Sequence, residues 1–455
     1  MAERDHFVLT GSRIVTPEEV FIGSVEVKDG WITRVGRFSA NEVPGAEPVG
    51  LDGAWLLPGL IDMHLNDGIA LQWKSTDPRR HAERLREVSR AQLARGVTGI
   101  FLTTLAAPLK EVRAYLEGIA IFRESWRREK SGTEICGGLV EGTFMNPENC
   151  GAHNQEYIYR PDREILDGLL ETGAVRLVNI APEYGRESLE LIEYAASRGV
   201  VVGAGHCKPT AEQLSRAVDR GLSYIIHLLN GPTGSNTKAF YGGGTLEGAL
   251  RDDRLTVELI VDFVHVDRPV LRDTIARKQA RRVVAVSDGM FATEVPQGTF
   301  EINGIVGEID SDSNCITVVG RRDSRGRVRK IRQPEAETCD FSALFGSTAN
   351  MDAVFANTVQ LLAGEMEGNF VRLHPALPLE EAVRQAVLMC ASVPARVSRL
   401  DDGSNGRKVG AIREGYEADL VVASIGLDQY KVTFKAHEVY IAGRPLLAGN
   451  AVLRQ

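Results

Sequence analysis

The stretch LLPGLIDMHLNDG, residues 56–68, begins as a buried β-strand and then carries polar side chains where the strand should end. Pro58 and Gly59 close the apolar run, and His64 and Asn66 follow two positions apart. Residues two apart in a strand share one face, so a ring and an amide would point the same way. The pattern predicts a strand that delivers functional groups at its carboxyl end.

The middle of the chain alternates apolar, strand-like runs with amphipathic stretches such as 81–95, 188–198 and 211–220. Repeated strand–helix units indicate a parallel sheet, and seven or eight of them favour a closed (β/α)8 TIM-like barrel over an open doubly wound sheet. No G-x-G-x-x-G follows an early strand, which counts against a dinucleotide-binding fold. The strand-like runs are 98–103, 136–140, 175–180, 200–204, 224–228, 257–261 and 283–286.

Both ends of the chain instead show short alternating runs separated by Gly and Pro turns, which is typical of small antiparallel sheets. A chain of 455 residues also exceeds the roughly 250–300 at which one hydrophobic core stops growing. We therefore predict a small β-sandwich domain built from residues 1–56 and 405–455, with the barrel domain spanning residues 57–404.

Composition and charge exclude several classes of function. A net charge of −8 offers no attraction to a polyanion, so no nucleic-acid partner is expected. No stretch approaches ~18 uninterrupted apolar residues, and residues 1–6 lack a basic segment leading into an apolar core. Six cysteines without C-x-x-C spacing suit reduced thiols. We expect a cytoplasmic protein with no membrane partner.

Ligand-type side chains follow the apolar runs at many predicted strand ends. Singly, each has a structural explanation as a helix cap, a turn residue or a hydrogen-bonded histidine. In a barrel, however, the strand ends converge on one face, and burying so many polar groups without a metal would be costly. Together they favour a metal site. Beyond the first strand these residues are Glu141, His206, His227, Asn230 and Asp288.

Glu141, His206 and His227 offer one carboxylate and two imidazoles, a set that suits zinc and leaves a position for water. A metal of this kind lowers the pKa of its water toward ~7 and polarises a carbonyl. Asp288 suits a general base that takes the water proton and passes it to the leaving group. The predicted reaction is hydrolysis of an amide or a related bond.

An ordered set of motifs covers nearly the whole chain: PGLIDMHLNDG, VEGTFMNPENCGAHN, VNIAPE, VVVGAGHCKPTAEQ, HLLNGPTG, VDFVHVD, VSDG, FGSTANMD and EGYEADLVV. In this order they resemble the amidohydrolase superfamily, and within it the N-acetylglucosamine-6-phosphate deacetylase family. The resemblance implies a (β/α)8 barrel with a small β-domain from both termini. It also implies removal of an acetyl group from an amino sugar phosphate by a homodimer.

The resemblance assigns site residues as well. Two histidines outside the metal set match substrate-contacting residues, and we also count His153 as catalytic. The matches are Glu141, His206 and His227 for the metal, Asp288 for catalysis, His153 and His265 for the substrate, and Asn230 with Gly231 for the loop that approaches the sugar.

Two of this chain's departures from the resembled family bear on the number of metals and on phosphate recognition. Many superfamily members carry His-x-His on the first strand and hold two metals, whereas this chain has His64 and Asn66. An amide is a poor substitute for an imidazole, so we predict one divalent ion, zinc, with His64 hydrogen-bonded inside the site. A second, weakly held ion at His64 and Asn66 is the alternative.

The second departure concerns phosphate. The family's arginine, which grips phosphate from the neighbouring subunit, is replaced by SNTKAFYGGGTLEG. Lys238 supplies a point charge there but lacks the bidentate fork that suits phosphate. The sequence therefore leaves open whether the sugar is phosphorylated.

Three hypotheses follow for function. The leading one is a zinc-dependent deacetylase of an N-acetylated amino sugar. The second is an amidohydrolase on another small molecule, such as an N-acyl amino acid or a phosphonate-pathway compound. The third is a non-catalytic homologue that serves as a scaffold, against which the intact metal and acid set argues.

Overall fold

The computed structural model describes residues 5–67, 75–230, 242–291, 298–309, 315–322, 327–330, 344–366, 374–404, 406–428, 431–448 and 451–452. Within these ranges, eight parallel strands pair in chain order. A parallel bridge from Leu65 to Gly289 joins the first strand to the segment after the last and closes the barrel. The strands are β6 (Leu60–Leu65), β7 (Val97–Thr104), β8 (Glu134–Phe144), β9 (Val175–Ile180), β10 (Val201–Ala204), β11 (Leu222–Ile225), β12 (Thr256–Ile260) and β13 (Val283–Val286).

Barrel strands are buried on both faces, which explains why they are nearly continuous apolar runs. One set of side chains, including Ile61, Phe101, Leu139 and Ile260, fills the interior of the barrel. The alternate set packs outward against the helices in the largest hydrophobic cluster of the described residues. The centre of the barrel is therefore a packed core, and functional groups are left to the strand ends.

The helices lie between strands, as the amphipathic stretches predicted. The first shows the expected start signals, because Asp77 caps it by accepting from the Arg79 N–H and Pro78 occupies the first turn. In the described ranges they are α1 (Pro78–Leu93), α2 (Leu109–Glu129), α3 (Arg163–Leu170), α4 (Arg186–Ser197), α5 (Ala211–Val218), α6 (Thr245–Arg251), α7 (Arg268–Lys278), α8 (Met351–Ala363), α9 (Leu379–Val387) and α10 (Val393–Val397).

Both termini join one separate sheet, in which nine strands of the described chain pair. The predicted fold class, a (β/α)8 TIM-like barrel with a small β-domain from both termini, is confirmed. The exact domain boundaries stay a prediction. The strands are β1 (His6–Val15), β2 (Val20–Lys28), β3 (Trp31–Gly36), β4 (Glu47–Gly50), β5 (Trp55–Pro58), β19 (Leu420–Asp428), β20 (Lys431–Ile441), β21 (Arg444–Ala448) and β22 (Ala451–Val452).

Residues 56–65 carry the chain from the terminal sheet into the barrel. Strand β5 ends at Pro58 and β6 begins at Leu60, so Gly59 alone separates them. A Cβ at Gly59 would lie 2.0 Å from the Oγ1 of Thr98 in β7. Glycine is required because any Cβ would collide with the β-branched side chain of Thr98 on the neighbouring strand.

A third sheet follows the last barrel strand and lies beside the carboxyl ends of the barrel strands. Its apolar residues form a cluster of their own, which includes Ile302, Ile305 and Phe345. Partly buried Leu105 packs against the same cluster. The strands are β14 (Gly298–Ile302), β15 (Ile305–Ile309), β16 (Cys315–Arg322), β17 (Val328–Lys330) and β18 (Leu344–Ser347).

Two further expectations concern cysteines and membrane spans. Cys136, Cys150, Cys207 and Cys390 are buried and free, as reduced thiols should be. Among the described residues, we find no helix with the length and apolar character needed to cross a bilayer.

Candidate functional site

The carboxylate of Glu141, near the carboxyl end of β8, lies at the centre of the candidate site. Its Oε1 is 2.7 Å from His227 Nε2 and 3.3 Å from His206 Nε2. Its Oε2 is 3.5 Å from His64 Nε2 and 3.6 Å from His153 Nε2. All five residues are buried. The barrel thus gathers four imidazoles of the described chain around one carboxylate.

Close backbone packing sets the position of Glu141. A Cβ on the next residue, Gly142, would lie 2.0 Å from the backbone nitrogen of Ala106, which follows β7. Real Cβ atoms do not approach backbone this closely, so the contact requires glycine. Strand β8 can therefore press against the segment after β7 and hold its carboxylate inside the barrel mouth.

Two of the histidines are fixed in opposite tautomers by their Nδ1 partners. The Nδ1 of His206 lies 2.9 Å from the carbonyl oxygen of Asn149, so it must donate, and Nε2 keeps its lone pair. The Nδ1 of His153 accepts from the Ala106 N–H at 3.1 Å, so its proton belongs on Nε2. His206 is therefore prepared to coordinate a cation, whereas His153 is prepared to donate a hydrogen bond.

Asp288 follows β13 and faces the histidines across the site. Its Oδ1 accepts from the Asn66 amide at 2.6 Å and lies 3.2 Å from His64 Nε2. The two polar residues that end β6 thus both contact this carboxylate. Asn66 uses its amide nitrogen here, so its side chain acts as a hydrogen-bond donor to Asp288.

Strained backbone geometry accompanies three of these residues. His206, His227 and Asp288 have φ values of 47°, 29° and 46°, a left-handed region that non-glycine residues rarely adopt. Each lies just beyond a barrel strand, where the sharp turn directs its side chain into the site. Strain of this kind is often found where function demands a particular side-chain direction.

Burial and mutual charges shift the pKa values of the central groups. Burial raises the pKa of the Glu141 carboxyl, but the charge of His64 and the hydrogen bond from His227 outweigh burial and hold the pKa well below its usual range. Burial lowers the pKa of the His153 ring to about 3. His153 is therefore neutral at pH 7, in agreement with its role as an Nε2–H donor.

His265 is oriented by an acid of its own. Its Nδ1 lies 2.6 Å from Asp262 Oδ2, and the Ser347 hydroxyl donates to the same oxygen at 2.8 Å. The other ring nitrogen, Nε2, is buried with no hydrogen-bond partner in the described structure. His265 thus lines the site with a fixed ring and an unsatisfied nitrogen.

A cavity of about 530 Å³ opens above these groups and has two chemically different sides. The polar side carries two carboxylates, four imidazoles and two amides: Glu141, Asp288, His153, His206, His227, His265, Asn66 and Asn230. The other side comes from the third sheet and its neighbours, and is mostly apolar. Its lining includes Leu105, Met290, Ile302, Ile305, Leu344 and Phe345.

The structure brings together nearly all of the site residues predicted from sequence. Asn230 lines the cavity, and its N–H donates to the His227 carbonyl at 2.9 Å. Gly231 and Lys238 lie outside the described residues, so their proposed roles stay predictions.

Sequence reasoning missed Glu258, which is fully buried in β12. It contacts His64 Nδ1 at 2.7 Å and the Tyr224 hydroxyl at 2.7 Å. One signal was available, because Glu258 interrupts the apolar strand TVELI as its single charged residue. A charge placed inside a barrel strand is rare unless it is paired.

The donor groups suit a divalent cation. Two overlapping sets, Glu141 with His64 and His227, and Glu141 with His153 and His206, hold their donor atoms within 4.8 Å of one another. His227 Nδ1 and His64 Nε2 are buried without a hydrogen-bond partner among the described residues. One carboxylate with several imidazoles matches the ligand preference of zinc and similar ions.

Fold and site together define a class, a TIM-barrel protein whose polar groups collect at the carboxyl ends of the strands, where barrel enzymes place their active sites. No family model matches the chain. The chain is 26% identical over 408 residues to an N-acetylgalactosamine-6-phosphate deacetylase of Escherichia coli O157:H7, covering 88% of this chain and 93% of that protein. It is 29% identical over 280 residues to an N-acetylglucosamine-6-phosphate deacetylase of Vibrio furnissii, covering 60% and 66%.

Solved structures agree on the fold. N-acetyl-D-glucosamine-6-phosphate deacetylase of Mycobacterium smegmatis, a mutant in complex with N-acetyl-D-glucosamine-6-phosphate, superposes with a TM-score of 0.73 at 24% identity, covering 98% of this chain and all of that one. The Pasteurella multocida N-acetylglucosamine-6-phosphate deacetylase gives a TM-score of 0.72 at 18% identity, covering 97% and 99%. The resemblance to these amidohydrolase-superfamily deacetylases is confirmed, as is the enzyme class, a hydrolase of C–N amide bonds.

Proposed function

We propose that this protein hydrolyses the amide bond of an N-acetylated amino sugar and releases acetate. One divalent ion, zinc, would be held by Glu141, His206 and His227, with Asp288 as general base and acid. The observation that carries the proposal is the contact of one buried carboxylate oxygen, Glu141 Oε1, with both His206 and His227. The deacetylase relatives support the reaction class.

A divalent ion bound there would activate a water molecule and polarise the carbonyl of the substrate. Asp288 would accept a proton as water attacks the amide carbon, and would return it to the nitrogen as the C–N bond breaks. Asn66 holds this carboxylate through Oδ1 at 2.6 Å, which fixes its direction. The single-ion arrangement leaves His64 as a neighbour of Asp288 rather than a ligand.

The two remaining histidines would orient the sugar. His153 carries its proton on Nε2 and would donate to a substrate oxygen, whereas the buried, unpartnered Nε2 of His265 would contact a hydroxyl of the sugar. The apolar side of the cavity would receive the methyl end of the acyl group. A homodimer and a cytoplasmic location, both expected from the sequence, complete the proposal.

A substrate panel and three variants test the proposal. We expect zinc-loaded protein to release acetate from N-acetylglucosamine-6-phosphate, N-acetylgalactosamine-6-phosphate or their unphosphorylated sugars, and not from N-acetyl amino acids. Asp288→Asn should keep its zinc while kcat falls by ~10²–10⁴-fold. His206→Ala and His227→Ala should lose zinc, measured by atomic absorption.

The matched control is Asp77→Asn at the exposed N-cap of α1, which should retain both zinc and turnover. Stoichiometric zinc in both histidine variants would contradict the ligand set. Unchanged turnover in Asp288→Asn would contradict the role of that carboxylate, and preference for an acylated amino acid would move the substrate to another class.

A further inference from the structure

Glu258 is a buried charge that the proposed mechanism does not use. It lies in the interior of β12, and none of its surface is exposed. Burying an ionised carboxylate is costly unless hydrogen bonds compensate. The Glu258 carboxylate therefore needs hydrogen-bond donors, and the positions of those donors indicate its role.

Three donors surround this carboxylate. His64 Nδ1 is 2.7 Å and the backbone N–H of His227 3.2 Å from Oε1, while the Tyr224 hydroxyl is 2.7 Å from Oε2. A peptide N–H can only donate, and a carboxylate can only accept, so His64 must carry a proton on Nδ1. The ring is thereby turned so that Nε2 faces the site.

That orientation places His64 between the two acids of the proposed mechanism. Its Nε2 lies 3.2 Å from Asp288 Oδ1 and 3.5 Å from Glu141 Oε2. If the His64 ring rotated away, the carboxylates of Asp288 and Glu141 would both lose their contact with its Nε2 inside a buried site. The position of His64 therefore affects the proposed base and the proposed metal ligand at once.

The second contact of Glu258 reaches a strained turn. His227 has a φ of 29°, and its backbone N–H is the group that Glu258 holds. A non-glycine residue in this region persists only when its surroundings hold it there. Glu258 thus supports the backbone of one histidine and the ring of another.

We propose that Glu258, itself oriented by Tyr224, is a positioning residue that sets the ring of His64 and the turn at His227. Its geometric effect on the site does not depend on the substrate, but its kinetic effect rests on the proposed function. Replacing a residue that hydrogen-bonds to the side chains of a metal site commonly changes metal affinity or activity by roughly 10–100-fold.

Glu258→Gln tests this directly, since it keeps the shape of the side chain but replaces one acceptor oxygen with a donor NH₂. We expect zinc transfer to a chromogenic chelator to become ~10–100-fold faster, with kcat ~10–100-fold lower and KM changed by less than ~3-fold. Tyr224→Phe, which leaves the carboxylate in place, should shift both readouts in the same direction by ~2–10-fold.

Tyr440→Phe is the matched control. Tyr440 is also fully buried, and its hydroxyl donates to a carboxylate, Glu438, at 2.6 Å, but it lies in β20 of the terminal sheet. The Tyr440→Phe variant should be less stable than the wild type, with no change in zinc transfer or kcat. The difference between the two tyrosine variants separates positioning from a general loss of buried hydrogen bonds.

Two results would overturn the inference. One is a folded Glu258→Gln protein with wild-type zinc transfer and kcat. If that variant does not fold, Tyr224→Phe decides, and behaviour identical to Tyr440→Phe would refute the role. Absence of deacetylase activity in the wild type would count against the proposed function alone, because zinc transfer is measured without substrate.

Discussion

At the scale of single residues, identical side chains acquire different chemistry from one neighbour. His206 and His153 both border Glu141, yet one ring donates from Nδ1 to a carbonyl oxygen and the other accepts at Nδ1 from an N–H. The first therefore presents a lone pair to the site and the second a proton. Residue type alone cannot distinguish these roles, because the distinction depends on a backbone atom of another loop.

Asp262 permits a test of pH dependence. Burial raises the pKa of its carboxyl, but the hydrogen bond and charge of His265 outweigh burial and lower the pKa to about 2. A group whose pKa falls on folding stabilises the protein above its unfolded pKa, near 4, and that stability is lost between about pH 4 and pH 2. The shift corresponds to roughly 2 kcal/mol in the free energy of unfolding.

Asp262→Asn should therefore be less stable by roughly 2 kcal/mol at pH 7 and nearly equal to the wild type at pH 2. Urea unfolding of both proteins in the presence of a chelator, from pH 7 to pH 2, measures the difference. A difference that stays constant over this range would show that the ion pair with His265 does not contribute as argued.

At the scale of elements, the hairpin of β14 and β15 forms one side of the cavity. Asn303 and Gly304 form its two-residue turn with φ values of 49° and 82°, as a type I′ turn requires. Asn303 donates to the Ala106 carbonyl at 3.2 Å, and its own carbonyl accepts from the Asn154 amide at 3.0 Å. The turn is thus attached to the loops beside His153.

Asn303→Ala should release this attachment and raise KM several-fold while kcat changes less. Alanine at positive φ costs roughly 1–2 kcal/mol, so stability should fall as well. Asp29→Ala is the control, since Asp29 and Gly30 form the same kind of turn, with φ values of 51° and 82°, between β2 and β3. Asp29→Ala should lose a similar amount of stability, with KM unchanged. An equal KM in the Asn303 and Asp29 variants would rule out a role for the β14–β15 hairpin in substrate binding.

At the scale of the whole molecule, a buried ionic cluster joins the barrel to the terminal sheet. Arg407 contacts Glu134 at 2.9 Å, Glu417 at 2.7 Å and Asp419 at 2.7 Å. Glu134 begins β8, whose other end carries the candidate site, while Asp419 precedes β19. The cluster therefore lies away from the catalytic face and connects the two sheets.

Arg407→Met should lower the free energy of unfolding by roughly 3–5 kcal/mol, because it leaves buried carboxylates without their cation. Turnover per folded molecule should be unchanged. Arg113→Met is the control, since Arg113 pairs with Glu117 and Glu171 at the exposed surface, and its replacement should lower the free energy of unfolding far less. Guanidinium unfolding of the two variants makes the comparison; equal losses would show that the cluster is not a structural link.

Much of this architecture can be predicted from the amino-acid sequence. The alternation of apolar runs with amphipathic stretches depends on local burial and periodicity, so the barrel, its helices and the terminal sheet followed from the sequence. The candidate residues Glu141, His206, His227 and Asp288 could be located because each is a polar group directly after an apolar run in the sequence, although Glu141 lies within β8. Element boundaries moved by a few residues, as in α1, which begins at Pro78 rather than at residue 81.

Local sequence patterns specify the strand order and the residues at the strand ends, because both arise from interactions among near neighbours. Only the folded chain fixes which ring nitrogen faces the site and which acids hydrogen-bond to the histidines. Glu258 meets His64 across 194 residues, and Arg407 meets Glu134 across 273. Such contacts form only when the barrel closes, and they satisfy the hydrogen-bonding needs of buried charges. Neither requirement can be inferred from a local sequence pattern.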